Sequence, residues 1–462
     1  MPASSTLGRA ITLALAAVSG TAAAAQFDYS LYAGIEHSDN INLSASNPVS
    51  QSVLIPGVNF TFAQQGSAVQ ANVAGALEYH DYLGGAFDNQ TFVQLASQAN
   101  WAVLPQRLDF TVQDFAGVQP LSTLSSNAPN NQQQTNVLAV GPILHFRFGD
   151  SLRGQAELRY INSYASKNKN FNSSRGEAAL RLFKDLDPSD VLALSFESQR
   201  AKFDDAAGNS DGNPGGVTRG TNYTRNELFG NYIRTLAHFK LDVAVGWSRI
   251  DFSGARAVST PLTRATLGWQ PTTRSSFAIT AAHQYSDAAE DMMLQPGQIV
   301  AGAGAQLDNN AIGPIGPPGQ AAPGGINTGN VVIDPQVYLD RSVEGNYTFT
   351  TEVLTLSVAP LYRRLSYLND PTFNQTGRGG SAGLSYRLTP LLSLSAFFDG
   401  ETITYNALDR RDKTSDYGVS LIDRRTAHWS LQASLVHRQR DSTVPGQGYS
   451  DNEIYFGVVF RR

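Results

Sequence analysis

The sequence predicts an all-β chain, a transmembrane antiparallel up-and-down β-barrel of about 20 strands. Three observations predict it. From Phe27 onward apolar side chains recur at every second position in segments of about 10 to 14 residues, with no convincing 3.6-residue period. Tight turns and long polar loops then alternate in strict succession. Finally, the 462 residues are 41% hydrophobic and only 16% charged, with a mean hydropathy of -0.23. No later stretch reaches the roughly 18 apolar residues of a membrane-spanning helix.

Composition removes several classes of function. The 23 Phe, 18 Tyr and 4 Trp leave little room for disorder. A net charge of -5 argues against nucleic acid as a partner. The absence of cysteine excludes disulfide frameworks, thiolate metal sites and a cysteine nucleophile.

The elements follow in chain order. Residues 1–25 read as a signal peptide: Arg9 closes a short basic region, 10–18 are apolar, and Ala23, Ala24 and Ala25 offer a cleavage site before Gln26. The apolar stretch is too short for an anchor, and no cysteine follows to carry a lipid. Residues 26–462 form the barrel. Tight turns fall at 64–66, 105–106, 149–150, 187–189, near 237, and at 271–273, 351–352, 389–390 and 426–427. Long loops fall at 38–50, 84–89, 119–134, 165–172, 204–220, 253–258, 288–334, 369–376, 406–413 and 442–448. Ten loops and nine turns make about twenty strands, with about 22 residues for each strand and its connection, enough for a tilted span of about 9 to 11. Short connections at one end and long ones at the other are the asymmetry of outer-membrane barrels, and an even count puts both termini in the periplasm. Closure is forced, because an open sheet edge in hydrocarbon leaves backbone groups unpaired.

Alternation assigns faces. Leu158, Leu180 and Val245 fall on apolar faces, while Arg153, Gln155, Glu157, Arg159, Arg175, Glu177, Arg181, Glu197, Arg225 and Glu227 fall on polar faces of consecutive strands. With 28 Arg against 6 Lys, two readings stand for these ten residues. They form a cross-strand ion network bracing the wall, or they line a water-filled pore and hydrogen-bond passing sugars or anions. Both place them inside. Tyr79, Tyr82, Tyr160, Tyr164, Tyr285, Tyr367 and Tyr405 sit where a loop-end aromatic girdle would lie, and Trp101, Trp269 and Phe349 where a turn-end girdle would.

The final strand, 452–462, resembles the C-terminal signal of outer-membrane barrels. Tyr455 and Gly457 lead into apolar alternation at Ile454, Phe456, Val458 and Phe460, though the chain ends in Arg461 and Arg462 rather than an aromatic. The opening strand, 32–42, resembles the start of the beta-barrel porin 2 type family, whose members often sit in exopolysaccharide gene clusters. What the resemblance implies is an outer-membrane channel of a Gram-negative bacterium, handled by the barrel-assembly machinery and serving polysaccharide export.

Catalytic chemistry is thin. His37, His80, His145, His238, His283, His428 and His437 show no zinc-binding spacing and stand near no nucleophile elbow. Asp39, Asn40 and Asn42 carry oxygen ligands suited to calcium, but Asp and Asn at a loop tip serve turn geometry first. No catalytic, cofactor-binding or metal residue is assigned, and the chain reads as no enzyme. The expected function is a passive, porin-like conduit. The alternative is a non-conducting surface or assembly protein that binds polysaccharide or an export partner. Expected neighbours are outer-membrane lipid and lipopolysaccharide. A barrel wider than the 16 to 18-stranded porins needs a constriction. The loop 288–334, with Gly316, Pro317, Pro318 and Gly319 near its centre, is the one long enough to fold back as a gate.

Overall fold

A computed structural model describes residues 25–204, 222–253, 255–293 and 336–462. The expected signal peptide lies outside the described residues, apart from Ala25. Twenty strands run in chain order. The first ten are β1 (Ala25–Ser38), β2 (Gln51–Gln65), β3 (Val69–Tyr82), β4 (Gln90–Leu104), β5 (Leu108–Pro120), β6 (Gln132–Arg147), β7 (Leu152–Ala165), β8 (Ser173–Asp185), β9 (Asp190–Phe203) and β10 (Tyr223–Leu236). Then come β11 (Phe239–Phe252), β12 (Val258–Thr272), β13 (Ser275–Ser286), β14 (Tyr338–Thr350), β15 (Leu354–Tyr367), β16 (Gln375–Arg387), β17 (Leu392–Tyr405), β18 (Arg410–Arg424), β19 (Trp429–Ser442) and β20 (Tyr449–Arg461). Each pairs antiparallel with the next, and β1 pairs antiparallel with β20 from Ser30 opposite Arg461 to Ser38 opposite Glu453. The result is a closed up-and-down barrel.

The two-residue period explains the wall. On β7, Leu158, Tyr160 and Tyr164 are exposed, whereas Glu157, Ile161, Ser163 and Ala165 are buried. Leu180 on β8, Leu194 and Phe196 on β9, and Val245 and Trp247 on β11 continue the exposed apolar face. Near the turns it carries Phe27, Trp101, Phe110, Phe148, Trp269, Tyr386 and Trp429. Close packing at the seam depends on glycine: the Tyr455 ring lies where a side chain at Gly34 or Gly457 would stand, so both positions must stay bare.

The loop-end girdle needs correcting. Tyr79, Tyr160 and Tyr164 are exposed on the outer face, but Tyr82, Tyr285, Tyr367 and Tyr405 are all at most 5% exposed. Tyr79 and Tyr82 differ in parity on one strand, so they cannot share a face. Tyr82 packs with Tyr32, Val53, Ile55 and Val459, and with Ile41, Val49 and Phe87 of the loops above. Tyr367 packs with Tyr338, Leu365 and Phe373, and Tyr285 with Phe203, Tyr223, Ile250 and Phe252. The polar inner wall thus turns apolar near the loop end, where the loops cover it. The expected loop 406–413 is also shorter. Arg410 already stands opposite Tyr405, and Asp409 closes the turn at φ 48°.

One strand leaves the wall. The pairing of β4 with β5 stops at Leu95 opposite Ala116, and β5 is buried on both faces from Asp114 to Gln119. Gln134 on β6 bridges past it, its amide donating to the Val93 carbonyl at 2.8 Å and accepting from the Val93 amide at 3.0 Å. The end of β5 leads into the loop 121–131.

Candidate functional site in the barrel lumen

Two segments enter the lumen from the loop end. The first follows β13 directly. Its sequence is Asp287, Ala288, Ala289, Glu290, Asp291, Met292, Met293, and residues 288–293 are helical. Acidic residues at i, i+3 and i+4 fall on one side of such a turn, while Ala288 and Met292 stack at i and i+4. Asp287 caps it, accepting from the amides of Ala289 at 3.0 Å and Glu290 at 3.2 Å. Ala288, Ala289 and Met292 bury themselves against Val137 and Ala139 of β6, Ile161 and Ala165 of β7, and Phe171.

Each carboxylate meets an arginine on a different stretch of wall. Asp287 takes the Arg175 guanidinium at 2.6 Å and the Tyr223 hydroxyl at 2.5 Å. Glu290 is bidentate with Arg225, one bond measuring 2.7 Å, and accepts from Gln199 at 3.1 Å. Asp291 pairs with Arg363 on β15 and accepts from Tyr338 and Ser286, each at 2.7 Å. Arg363 also binds Asp340 at 3.2 Å. One short helix therefore touches β6 to β10 and β14 to β15, which only a segment inside the barrel can do. Burial pushes the Asp287 carboxyl up, but the Arg175 guanidinium and Tyr223 hydroxyl outweigh it and hold that group below the usual aspartate range. For Glu290 burial wins, and its carboxyl is pushed up despite Arg225.

The second segment is the loop 121–131. Asn131 holds it in shape, donating to the carbonyls of Ser122 at 2.8 Å and Ser126 at 3.0 Å. The Leu124 carbonyl then accepts from Arg410 of β18 at 2.5 Å and Arg440 of β19 at 3.4 Å. Asp412 fixes both guanidinium groups, at 2.9 Å and 2.5 Å. Below this loop lies a small cavity of about 80 Å³ lined in part by Glu36, His80, Asn127, Arg438, Asp451 and Glu453.

The ten residues singled out from sequence all share the parity of this inner face, and the structure sorts them by height. Arg153 lies near the turns and pairs with Asp185 at 3.3 Å. Gln155 is half-buried on the same strand. Above them Glu157 joins Arg159 and Arg181, the latter at 2.6 Å, and Arg181 continues to Glu197 at 2.6 Å, so one ion chain crosses β7, β8 and β9. Glu177 stands opposite Arg159 in register. Glu227 binds Arg264 of β12 at 3.0 Å and accepts from Ser248 at 2.8 Å. Arg175 and Arg225 are the two that reach the helix.

Sequence reasoning missed Asp287, Glu290, Asp291, Arg363 and the crossing to Arg410 and Arg440. The first three carry a signal, a single turn of helical periodicity at the start of a long loop. The gate expected at 288–334 is described only through Met293, and Gly316 to Gly319 lie outside the described residues. Asp39 accepts from the amide of Asn452 at 2.8 Å and from its side chain at 2.7 Å, and Asn40 donates to the carbonyls of Ser44 and Ser450. Both tie the first loop to the last strand.

No protein-family model and no curated protein sequence matches the chain. Among solved structures it is similar to a variant of the ferric enterobactin receptor of Pseudomonas aeruginosa bound to enterobactin, at 10% identity and a TM-score of 0.47, over 96% of this chain and 82% of that one. It is also similar to the copper transporter OprC, at 11% identity and 0.43, over 95% and 80%. The siderophore receptor PiuA of Acinetobacter baumannii gives 12% identity and 0.42, over 96% and 82%.

Proposed function

We propose that the protein is an outer-membrane barrel with periplasmic termini that passes solutes passively through a lumen narrowed by the helix 288–293 and the loop 121–131. The observation that carries this reading is the division of the wall. Leu158, Leu180, Leu194 and Val245 are exposed on the outer face, while the inner face carries an ion chain from Arg159 to Glu197. An exposed apolar belt is what hydrocarbon requires, and a closed ring of strands leaves no backbone edge in it. Rows of guanidinium and carboxylate groups keep water in the lumen and offer bidentate hydrogen bonds to hydroxyl-rich or anionic solutes. Exopolysaccharide export is the use we assign, supported by that chemistry and by the opening strand's resemblance to the beta-barrel porin 2 type family. The ten inner-face residues from Arg153 to Glu227 brace the wall and line the path, and no catalytic step is assigned to any of them.

Single-channel recording of the purified protein in planar bilayers tests this reading. Steady open currents that rise when Asp287 or Arg363 is replaced support a constricted conduit. A specific observation favours a second reading, a non-conducting assembly or surface protein, because two segments cross the same mouth and each is held by buried charges. Absence of current in both the wild type and the Asp287→Ala variant would select it.

A further inference from the structure

The outer face carries its own charge pattern. Arg341 on β14 stands directly opposite Arg364 on β15, and Arg378 on β16 stands opposite Tyr362, with its guanidinium over that ring at 5.6 Å from the centroid. All three point outward. Their neighbours Asp340 and Arg363 face the lumen, where they pair with each other, and Gly377 faces the inner Glu401. Each arginine lies three positions from the loop end of its strand, so the three share one height. A strand of 14 residues, tilted as in outer-membrane barrels, rises roughly 35 Å against an apolar band of about 25 Å, which puts these positions at the upper edge of that band, within reach of the headgroups for a long arginine side chain.

Like charges directly opposite one another on a sheet repel. Among the described residues no carboxylate forms an ion pair with any of the three, although carboxylates elsewhere in this wall are paired with arginine. A cavity of about 290 Å³ opens beside Arg364 at the loop end, where Ser366, Asn374, Gln375, Thr376 and Asn406 share the lining with Leu365, Pro371 and Ala407. Three forked donors, an aromatic plate and a neighbouring cavity whose mixed lining includes hydroxyl and amide groups match an anionic group carried on a sugar.

We infer that Arg341, Arg364 and Arg378 form a docking site for the phosphorylated sugar headgroup of an outer-leaflet glycolipid, its acyl chains lying along the apolar belt below. This inference rests on the membrane reading given above. The full-length protein is placed in nanodiscs of phosphatidylcholine containing either lipid A or the same lipid with its phosphates removed, and its melting is followed by loss of heat-modifiable migration. The wild type should melt higher with the phosphorylated lipid, and the Arg341→Gln, Arg364→Gln, Arg378→Gln triple variant should melt alike in both discs. The corresponding triple lysine variant should keep part of the difference, which guards against a glutamine variant that is merely damaged. A difference retained in the glutamine variant, or absent from the wild type, overturns the site. An equal rise on adding inorganic phosphate to the dephosphorylated discs overturns the lipid assignment. A wild type that gives no heat-modifiable species in either disc instead brings down the membrane reading and this inference with it.

Discussion

Replacing Asp287 by alanine should release the lumenal helix. The carboxylate removed is the partner of Arg175, and the two side chains are only 2% and 1% exposed. Without it the guanidinium keeps Ser173 at 3.3 Å and Tyr223 at 3.5 Å, but loses its anion. Breaking a buried pair by removing one partner costs about 3–5 kcal/mol, and losing the cap adds about 0.5–2 kcal/mol. The barrel can escape most of that cost by letting the helix leave, because lumen water then reaches Arg175. At about 1.4 kcal/mol per tenfold, the undocked population should rise on the order of 10²- to 10⁵-fold. The chain has no cysteine, so Met292→Cys supplies a single thiol at a position only 3% exposed. Its reaction with a polar maleimide should be slow alone and faster by that factor with Asp287→Ala. Asp287→Asn, which retains an acceptor for the two amides, should fall between. Rates agreeing within about threefold across the series would refute the claim that this ion pair holds the helix.

Facing can be tested on three strands at once. Leu158→Arg, Leu180→Arg or Val245→Arg should each cost about 2–4 kcal/mol at mid-depth, whereas Gln155→Arg should assemble normally, with urea titration of the folded, heat-modifiable form as the measure. Orientation predicts that tags within 204–220 or 294–334 are reached by protease on intact cells, while tags at Gly149-Asp150 or Thr389-Pro390 are reached only after the membrane is opened. Acid should act through the two buried carboxyls with opposite signs. Asp287, held below its free value, stabilises docking above the ordinary aspartate range, and that contribution is lost as pH falls through its docked value. Glu290, pushed up, contributes below its docked value and loses that contribution as pH rises. Conductance should therefore show no acid-induced opening between about pH 8 and pH 5 and increase below about pH 3.9; an opening that begins near pH 6 would contradict the pairing described.

The wall was legible because its signal is repeated twenty times. A strand such as β8 alternates Arg175, Glu177 and Arg181 with Leu180 and Leu182, and each tight turn resets the count independently of its neighbours. The lumen was legible only in part, because its contents depend on which loops turn inward. Arg175 and Arg225 could be placed on the inner face from parity, but nothing local to them reveals Asp287 or Glu290, which lie more than 60 residues away along the chain. Leu124 contributes through its carbonyl alone, a contact any residue could make, so no side-chain pattern marks it. Tyr82 and Tyr405 show the opposite failing. Position near a strand end suggested a membrane girdle, while parity, available in the same residues, sends them inward.

The seam between β1 and β20 has a consequence for how such a chain can change over generations. Every other interface joins neighbours in sequence, so a hairpin can be duplicated or lost without disturbing the pairing of those that remain. Closing the longer circle costs less than about 0.1 kcal/mol more. Circumference is therefore cheap to alter, but the lumenal helix is not indifferent to where the alteration falls. An extra hairpin between β1 and β4 leaves Arg175, Arg225 and Arg363 at their present spacing, while it moves Arg410 and Arg440 away from the loop that reaches them. One inserted between β10 and β13 carries Arg175 and Arg225 away from a helix tethered to β13. Lineages that widen this barrel should thus keep the helix and its three arginines together, or lose all of them together.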